Sequence, residues 1–204
     1  MKRVIAYIDG MNLYHGLKDR YGTRQHWLDV DALAGSVLLP GQRLTRVSYF
    51  TARVRNQPAS ELRQDTYLSA LAATSQRFRL VEGRFQERIV RCRSCGDLRI
   101  TYDEKETDVN IAAALIGDAV TDSYDTALLL SADGDLVPAV MAARAIDPSK
   151  RFVAAFPPRR RSDALRRICD AALTLGDAKI RAAQLPDKIV LPSGVVLERP
   201  AYWR

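Results

Sequence analysis

Two hydrophobic rhythms alternate along this chain. Val4 to Ile8, Thr126 to Ser131 and Phe152 to Phe156 are short, nearly unbroken apolar runs. Such runs suit strands buried on both faces, as in a parallel sheet. Arg43 to Phe50 alternates toward a strand through Val47 and Tyr49, and Phe78 to Phe85 reads as another. Between the runs the apolar spacing lengthens to that of helices. Asn12 is placed to cap a helix from Leu13 toward Arg20, and Trp27 onward predicts a second, capped near Asp29 and ended by Pro40-Gly41. Ser60 to Thr74 predicts an amphipathic helix burying Leu62, Tyr67, Leu68 and Leu71. Asp108 to Val120 places Ile111, Ala112, Leu115 and Ala119 on one stripe. Leu136 to Ala145 and Ser162 to Ala172 complete the long helices. Residues 86–102 read as a β-hairpin with Cys92-Arg-Ser-Cys-Gly96 at its tip, and a short helix after Gly176 is expected to lead into an extended tail.

Strand and helix in alternation imply a doubly wound, mostly parallel sheet with helices on both faces. The expected organisation is one domain over 1–176, with the 86–102 hairpin inserted, followed by a C-terminal helix and tail over 177–204. In open α/β sheets ligands bind beyond the carboxyl ends of the strands. Asp9 ends the first strand and is followed at once by Gly10, which places it on that edge.

With 31 Lys plus Arg against 24 Asp plus Glu, the net charge of +7 favours an anionic partner, nucleic acid first. No apolar run reaches the ~18 residues of a membrane span, and Met1-Lys2-Arg3 leads into a strand, not a signal peptide. Three cysteines, Cys92, Cys95 and Cys169, argue against a disulfide framework and for a cytoplasmic location.

Three distant segments bring acids to the sheet's carboxyl edge. Asp9 ends the first strand, Asp133 and Asp135 follow the Leu128-Leu-Leu-Ser strand, and Asp108 lies in the first turn of the long helix. Two carboxylates ~4 Å apart at an effective dielectric of about 20 repel by roughly 4 kcal/mol. Such a cluster shares protons or holds a hard cation, and oxygen donors select Mg²⁺ or Mn²⁺. Each acid also has a plain structural use: Asp9 and Asp133 as turn residues, Asp108 against a helix dipole, Asp135 as a cap. The convergence of four favours the metal site.

Tyr7-Ile-Asp-Gly-x-Asn12, Lys105-Glu-Thr-Asp-Val-Asn-Ile-Ala112 and Leu130-Ser-Ala-Asp-Gly-Asp-Leu136 together resemble the NYN domain family, part of the PIN-like nuclease superfamily. The resemblance runs from Lys2 to about Gly176. The tail Leu185-Pro-Asp and Arg199-Pro-x-x-Trp203 is similar to that of bacterial stand-alone members. It implies a Rossmann-like three-layer α/β/α fold and a Mg²⁺- or Mn²⁺-dependent ribonuclease acting on single-stranded or structured RNA. By motif match Asp9, Asp108 and Asp133 would bind the metal, with Asp135 a ligand or a neighbouring acid. Asn12 and Ser131 would orient the metal or a phosphate, and Lys105 would be a basic contact. Ala132 stands where many relatives have Gly, and Leu136 where many have Phe.

The Cys92-x-x-Cys95 knuckle has the shape of half a zinc ribbon, but no second pair or nearby His supplies the other two Zn²⁺ ligands. A plain hairpin turn is the default, and a zinc site shared across a homodimer is the alternative. Seven arginines against three acids crowd Gln76 to Thr101. Arg159, Arg160 and Arg161 follow one strand, and Arg53 and Arg55 leave another. A rim formed by Arg53, Arg159 and Arg160 would hold phosphates at the cut site, unless these side chains pair with helix carboxylates. His15, one turn into the first helix, titrates in the right range for proton transfer but is more often a packing residue.

Two function classes follow: a metal-dependent ribonuclease, or a module that binds RNA in the same cleft without cutting it. A haloacid-dehalogenase-like phosphatase needs a second Asp at position 11, which is Met, and an oxidoreductase of the dinucleotide type lacks its G-x-G-x-x-G run.

Overall fold

The structure, a computed structural model, describes residues 1–204 except Cys92 and Arg93, and the backbone alone at 85–89 and 99–104. The chain runs β1 (Lys2–Asp9), α1 (Gly10–Tyr21), α2 (Val30–Gly35), β2 (Gln42–Ala52), α3 (Pro58–Thr74), β3 (Phe78–Arg91) and β4 (Leu98–Lys105). It continues with α4 (Thr107–Val120), β5 (Thr126–Leu130), a single 3-10 turn (Gly134–Leu136), α5 (Val137–Ile146) and β6 (Arg151–Phe156). Then come α6 (Asp163–Ile168), β7 (Ala171–Thr174), α7 (Asp177–Ala182), a hairpin of β8 (Lys188–Val190) and β9 (Val196–Glu198), and a last 3-10 turn (Ala201–Trp203).

The main sheet has the order β4-β3-β2-β1-β5-β6-β7. Six of its strands are parallel, and only β4 runs antiparallel, against β3. The chain therefore winds outward from β1 through β2 and β3, returns, and winds outward again through β5, β6 and β7. The reversal falls beside β1, and a switch of this kind opens a crevice at the carboxyl ends of the strands.

Side chains of β1 alternate between two cores. Val4, Ala6 and Ile8 join Leu13, Leu17, Trp27 and Leu68 under α1, α2 and α3. Ile5 and Tyr7 join Ile111, Leu115 and Val140 under α4 and α5. The result is a three-layer α/β/α architecture: the alternation predicted the doubly wound sheet, and the resemblance implied the PIN-like layering. The C-terminal segment packs into the first core through Ile180, Leu185 and Trp203.

Several elements differ from the sequence expectation. Asp9, not Asn12, caps α1, because its carboxylate accepts the Asn12 N–H at 2.9 Å and the helix starts at Gly10. α2 stops at Gly35, well short of Pro40. In α3 the buried positions are Tyr67, Leu68, Ala70 and Leu71, and Leu62 is exposed. At about 100° per residue Leu62 stands half a turn round from Leu71, so the stripe never included it. The helix expected over Ser162 to Ala172 ends at Ile168, and Ala171–Thr174 pairs with β6 as an edge strand. Asp170 enforces the break: its carboxylate accepts the Phe152 N–H at 2.8 Å and pairs with Arg144. The tail carries a two-stranded hairpin that its short apolar runs did not announce. β3 and β4 form the expected inserted hairpin, longer than predicted, paired from Arg84↔Lys105 to Arg91↔Leu98. Cys95 is exposed, and because Cys92 lies outside the described residues, so does the zinc knuckle read there.

Candidate active site

At the end of β1 the backbone turns sharply into α1. Gly10 is required there, since a Cβ would lie 2.7 Å from both the Phe50 carbonyl oxygen and the Tyr49 ring. This close approach sets Asp9 against the ends of β2 and β5. Its side chain is 4% exposed. One carboxylate oxygen accepts the Asn12 N–H at 2.9 Å, and the other accepts the Ser131 hydroxyl at 2.9 Å.

Ser131 also accepts the Asp133 N–H at 3.0 Å, and Asp133 accepts the Asp135 N–H at 2.9 Å. The Asn12 side-chain oxygen accepts the Ala132 N–H at 3.1 Å. Asn12 and Ser131 thus lace the β1–α1 turn to the β5–α5 turn across the crevice. Asp108 opens α4 on the same side of the sheet, its side chain exposed but near enough for its charge to act on Asp9.

The four acids share one electrostatic field. Burial, with smaller pushes from the Asp108 and Asp133 charges, raises the Asp9 carboxyl to about 6 against the pull of its two hydrogen bonds. Asp108 is raised by burial first, then by Asp133 and Asp135. Among the described residues none of the four pairs with a lysine or arginine. The contrast with the rest of the molecule is sharp. Asp31 lies against Arg77, Asp118 against Arg46, Asp125 against Arg3, Asp170 against Arg144 and Asp177 against Arg20. Guanidinium contact holds Asp125 and Asp177 down at about 2. Elsewhere this basic chain neutralises most of its described aspartates, and at the crevice no described cation pairs with them.

Whether these residues suit a divalent cation turns on donor chemistry. They are hard oxygen donors, and a nearly buried, raised carboxyl with no positive partner is the environment such an ion would relieve. Among the described residues, however, no three acidic, histidine or cysteine groups stand close enough to form a ready-made metal cluster. The acids are coupled through space without closing on a point.

The expected basic contacts divide. Lys105 is exposed at the end of β4, beside Glu106, whose backbone takes φ 77° to open α4. Arg159 is exposed, at φ 58°, and has no acid partner among the described residues. Two of the expected contacts already meet carboxylates, the alternative left open by the sequence. Arg160 reaches Asp19 of α1 at 2.6 Å, and Arg53 is held by Glu82 at 2.6 Å and by Asp65. Both arginines leave the sheet beside helix or strand acids, which compete with phosphate for them. His15 is lowered by burial and by Arg160 and Lys18, so it is neutral at pH 7. A cavity of about 500 Å³ beside Gly10 went unread in the sequence, because Arg63 and Trp203, which line it, come from unrelated parts of the chain.

Fold and site together define a PIN-like α/β protein with an acidic crevice at the sheet's switch point. The chain matches the NYN domain over residues 3–176 and belongs to that family, a nuclease-like one. It is 28% identical over 176 residues to the 6-hydroxy-3-succinoylpyridine 3-monooxygenase HspA of Pseudomonas putida (strain DSM 28022 / S16), covering 70% of this chain and 56% of that protein. The chain thus spans little more than half the length of that relative. A crystal structure of VPA0982, a protein of unknown function from Vibrio parahaemolyticus RIMD 2210633, superposes with a TM-score of 0.54 at 17% identity. That likeness covers 86% of this chain and 94% of the other and concerns the fold alone. Among the described residues no helix is long and apolar enough to cross a membrane.

Proposed function

We propose that this protein is a Mg²⁺- or Mn²⁺-dependent ribonuclease. The observation behind this reading is the set of four aspartates at the switch point that no described lysine or arginine pairs with, while most other described acids have such a partner. Asp9, Asp108 and Asp133 would hold the ion, with Asp135 beside them. A bound divalent cation supplies neutralisation of phosphoryl oxygens and a water of lowered pKa. The chain's own residues do the rest. Ser131 and Asn12 fix the Asp9 carboxylate, while Lys105 and Arg159, which pair with no acid among the described residues, offer charge to the strand's phosphates. RNA in the cytoplasm is the substrate this reading names.

The test incubates single-stranded and structured RNA with the protein, with Mg²⁺ or Mn²⁺ and with EDTA. Cleavage is expected only with the metal, and is expected to fall at least ~100-fold in Asp9→Asn and Asp133→Asn. Cleavage that persists in EDTA or in both variants removes the mechanism. The open spacing of the acids favours a second reading, in which the crevice holds RNA without cutting it. Salt-sensitive RNA binding with no turnover under either ion selects that one.

A further inference from the structure

We propose that the cavity between α1, α3 and the C-terminal 3-10 turn binds one nucleotide, with its base against Tyr14, His26 and Trp203 and its phosphate at Arg55 and Arg63. This deepens the ribonuclease reading and rests on it for the source of the nucleotide, a residue of the RNA strand next to the scissile bond.

The cavity is about 500 Å³, within the range of small-ligand pockets and large enough for a purine nucleotide. Its aromatic wall is ordered. The Tyr14 and His26 rings lie 4.8 Å apart at 40°, and His26 and Trp203 lie 5.7 Å apart at 33°. His26 donates Nε2–H to the Gly22 carbonyl at 2.9 Å, which fixes its ring plane. Burial lowers its pKa, so the imidazole is uncharged at neutral pH. Tyr14 is 37% exposed, so this end of the aromatic wall meets solvent. Bases stack on such walls whatever their identity.

The charge at the mouth points to an anion. Arg53 is neutralised by Glu82 and Asp65, yet Arg55 and Arg63, on the cavity side, have no carboxylate partner among the described residues. Arg63 is positioned by donating to the Ser60 hydroxyl at 2.8 Å and by lying 4.6 Å over the Tyr202 ring. Gln64 ties down the neighbouring loop, accepting the Val54 N–H at 2.8 Å and donating to the Ala52 carbonyl at 2.9 Å. An aromatic slot ending in two spare guanidinium groups matches a base joined to a phosphate.

The cavity also adjoins the acidic crevice. Its rim includes Gly10, directly after Asp9, and Thr51, directly after Phe50, the register partner of Asp9. A strand crossing from β5 over β1 to β2 would meet the acids first and the aromatic slot next.

The full-length protein is titrated calorimetrically with AMP and with UMP in EDTA, with ribose 5-phosphate as the baseless control. Saturable 1:1 binding of at least one nucleotide is expected, at least tenfold weaker in Arg63→Gln, Arg55→Gln and Tyr14→Ala, with ribose 5-phosphate bound far more weakly. Arg55 is exposed, so its variant keeps the fold. The proposal is overturned if neither nucleotide binds, if both arginine variants bind as well as wild type, or if ribose 5-phosphate binds equally. A five-nucleotide RNA added to Asp9→Asn should displace AMP, and failure to displace it overturns the strand as the source. Metal-dependent cleavage without nucleotide binding discards this pocket and keeps the ribonuclease. Nucleotide binding without cleavage keeps the pocket and discards the ribonuclease.

Discussion

The Ser131 hydroxyl donates to the Asp9 carboxylate at 2.9 Å across the seam between β5 and β1. It is one of two donors opposing the burial that pushes Asp9 toward its neutral form. Ser131→Ala should therefore raise the Asp9 pKa further and cost about 1–3 kcal/mol of stability where the carboxylate is ionised. Carboxyl titration by NMR and urea unfolding at pH 8 check both effects. An unchanged Asp9 titration would show that the seam is held by the turns alone.

Asp9 itself should destabilise the metal-free fold. Its pKa of about 6 lies above the ~3.9 of an unfolded aspartate, so the folded state binds more protons between these values. The contribution is harmless below pH ~4, turns unfavourable as pH rises through 4 to 6, and levels off above 6 at up to about 3 kcal/mol. Asp9→Asn keeps an N-cap acceptor and removes the charge. In EDTA the variant should be more stable than wild type at pH 7, and the gap should close toward pH 4. Asp31, Asp125, Asp170 and Asp177 have lowered values and titrate with the opposite sign in both proteins, so the difference between the two curves isolates Asp9. A gap that does not vary with pH would refute the coupling.

How far the sequence carried this picture depended on whether information was local. Val4 to Ile8 announced a central strand because unbroken apolar residues have few other places to go. The long α4 was readable from its stripe for the same reason. Edge elements were not: Ala171–Thr174 pairs on one side only, so its composition carries no two-sided signal. Asp9, Asp133 and Asp135 were legible as strand-end residues and Asp108 as a helix-start residue, and in the fold their charges act on one another. Their neighbours were not, because whether Arg53 and Arg160 are free depends on Glu82, Asp65 and Asp19, brought near by folding. The doubled duty of Asp9, as helix cap and as candidate ligand, was likewise hidden until the start of α1 was seen at Gly10.

A second, half-buried carboxylate holds structure together. The Tyr7 hydroxyl donates to Asp118 at 2.6 Å, and Arg46 pairs with the same carboxylate. Desolvation and Asp118 hold the Tyr7 phenol far above its usual pKa, so it stays a donor at every working pH. Tyr7→Phe should cost about 1–2 kcal/mol, since Asp118 keeps Arg46 and the ring keeps its packing. Arg46→Leu should cost more, because it strips from a half-buried charge the cation that pairs with it among the described residues. Denaturant midpoints rank the two, and a reversed order would mean that the pair with Arg46 contributes little.

Gly10 links the acidic crevice to the aromatic cavity, and its replacement should disturb both. A Cβ at this position meets the Phe50 carbonyl at 2.7 Å, an atom fixed by the β1–β2 ladder, and the Tyr49 ring, packed against Tyr67 and Phe78. Neither neighbour can retreat by rotating a single bond, so α1 must lift from the sheet. Gly10→Ala should lose about 1–3 kcal/mol, lowering Tm by several degrees for a chain of this size. The lift carries Asp9 and Asn12 away from Ser131 and Ala132, and the nuclease activity proposed for the crevice should fall by more than the unfolded fraction explains. Gly117→Ala is the control, since an added Cβ there meets nothing within 4 Å. Equal stability of the two variants would show that the β1–α1 turn is not the tight joint the contacts describe.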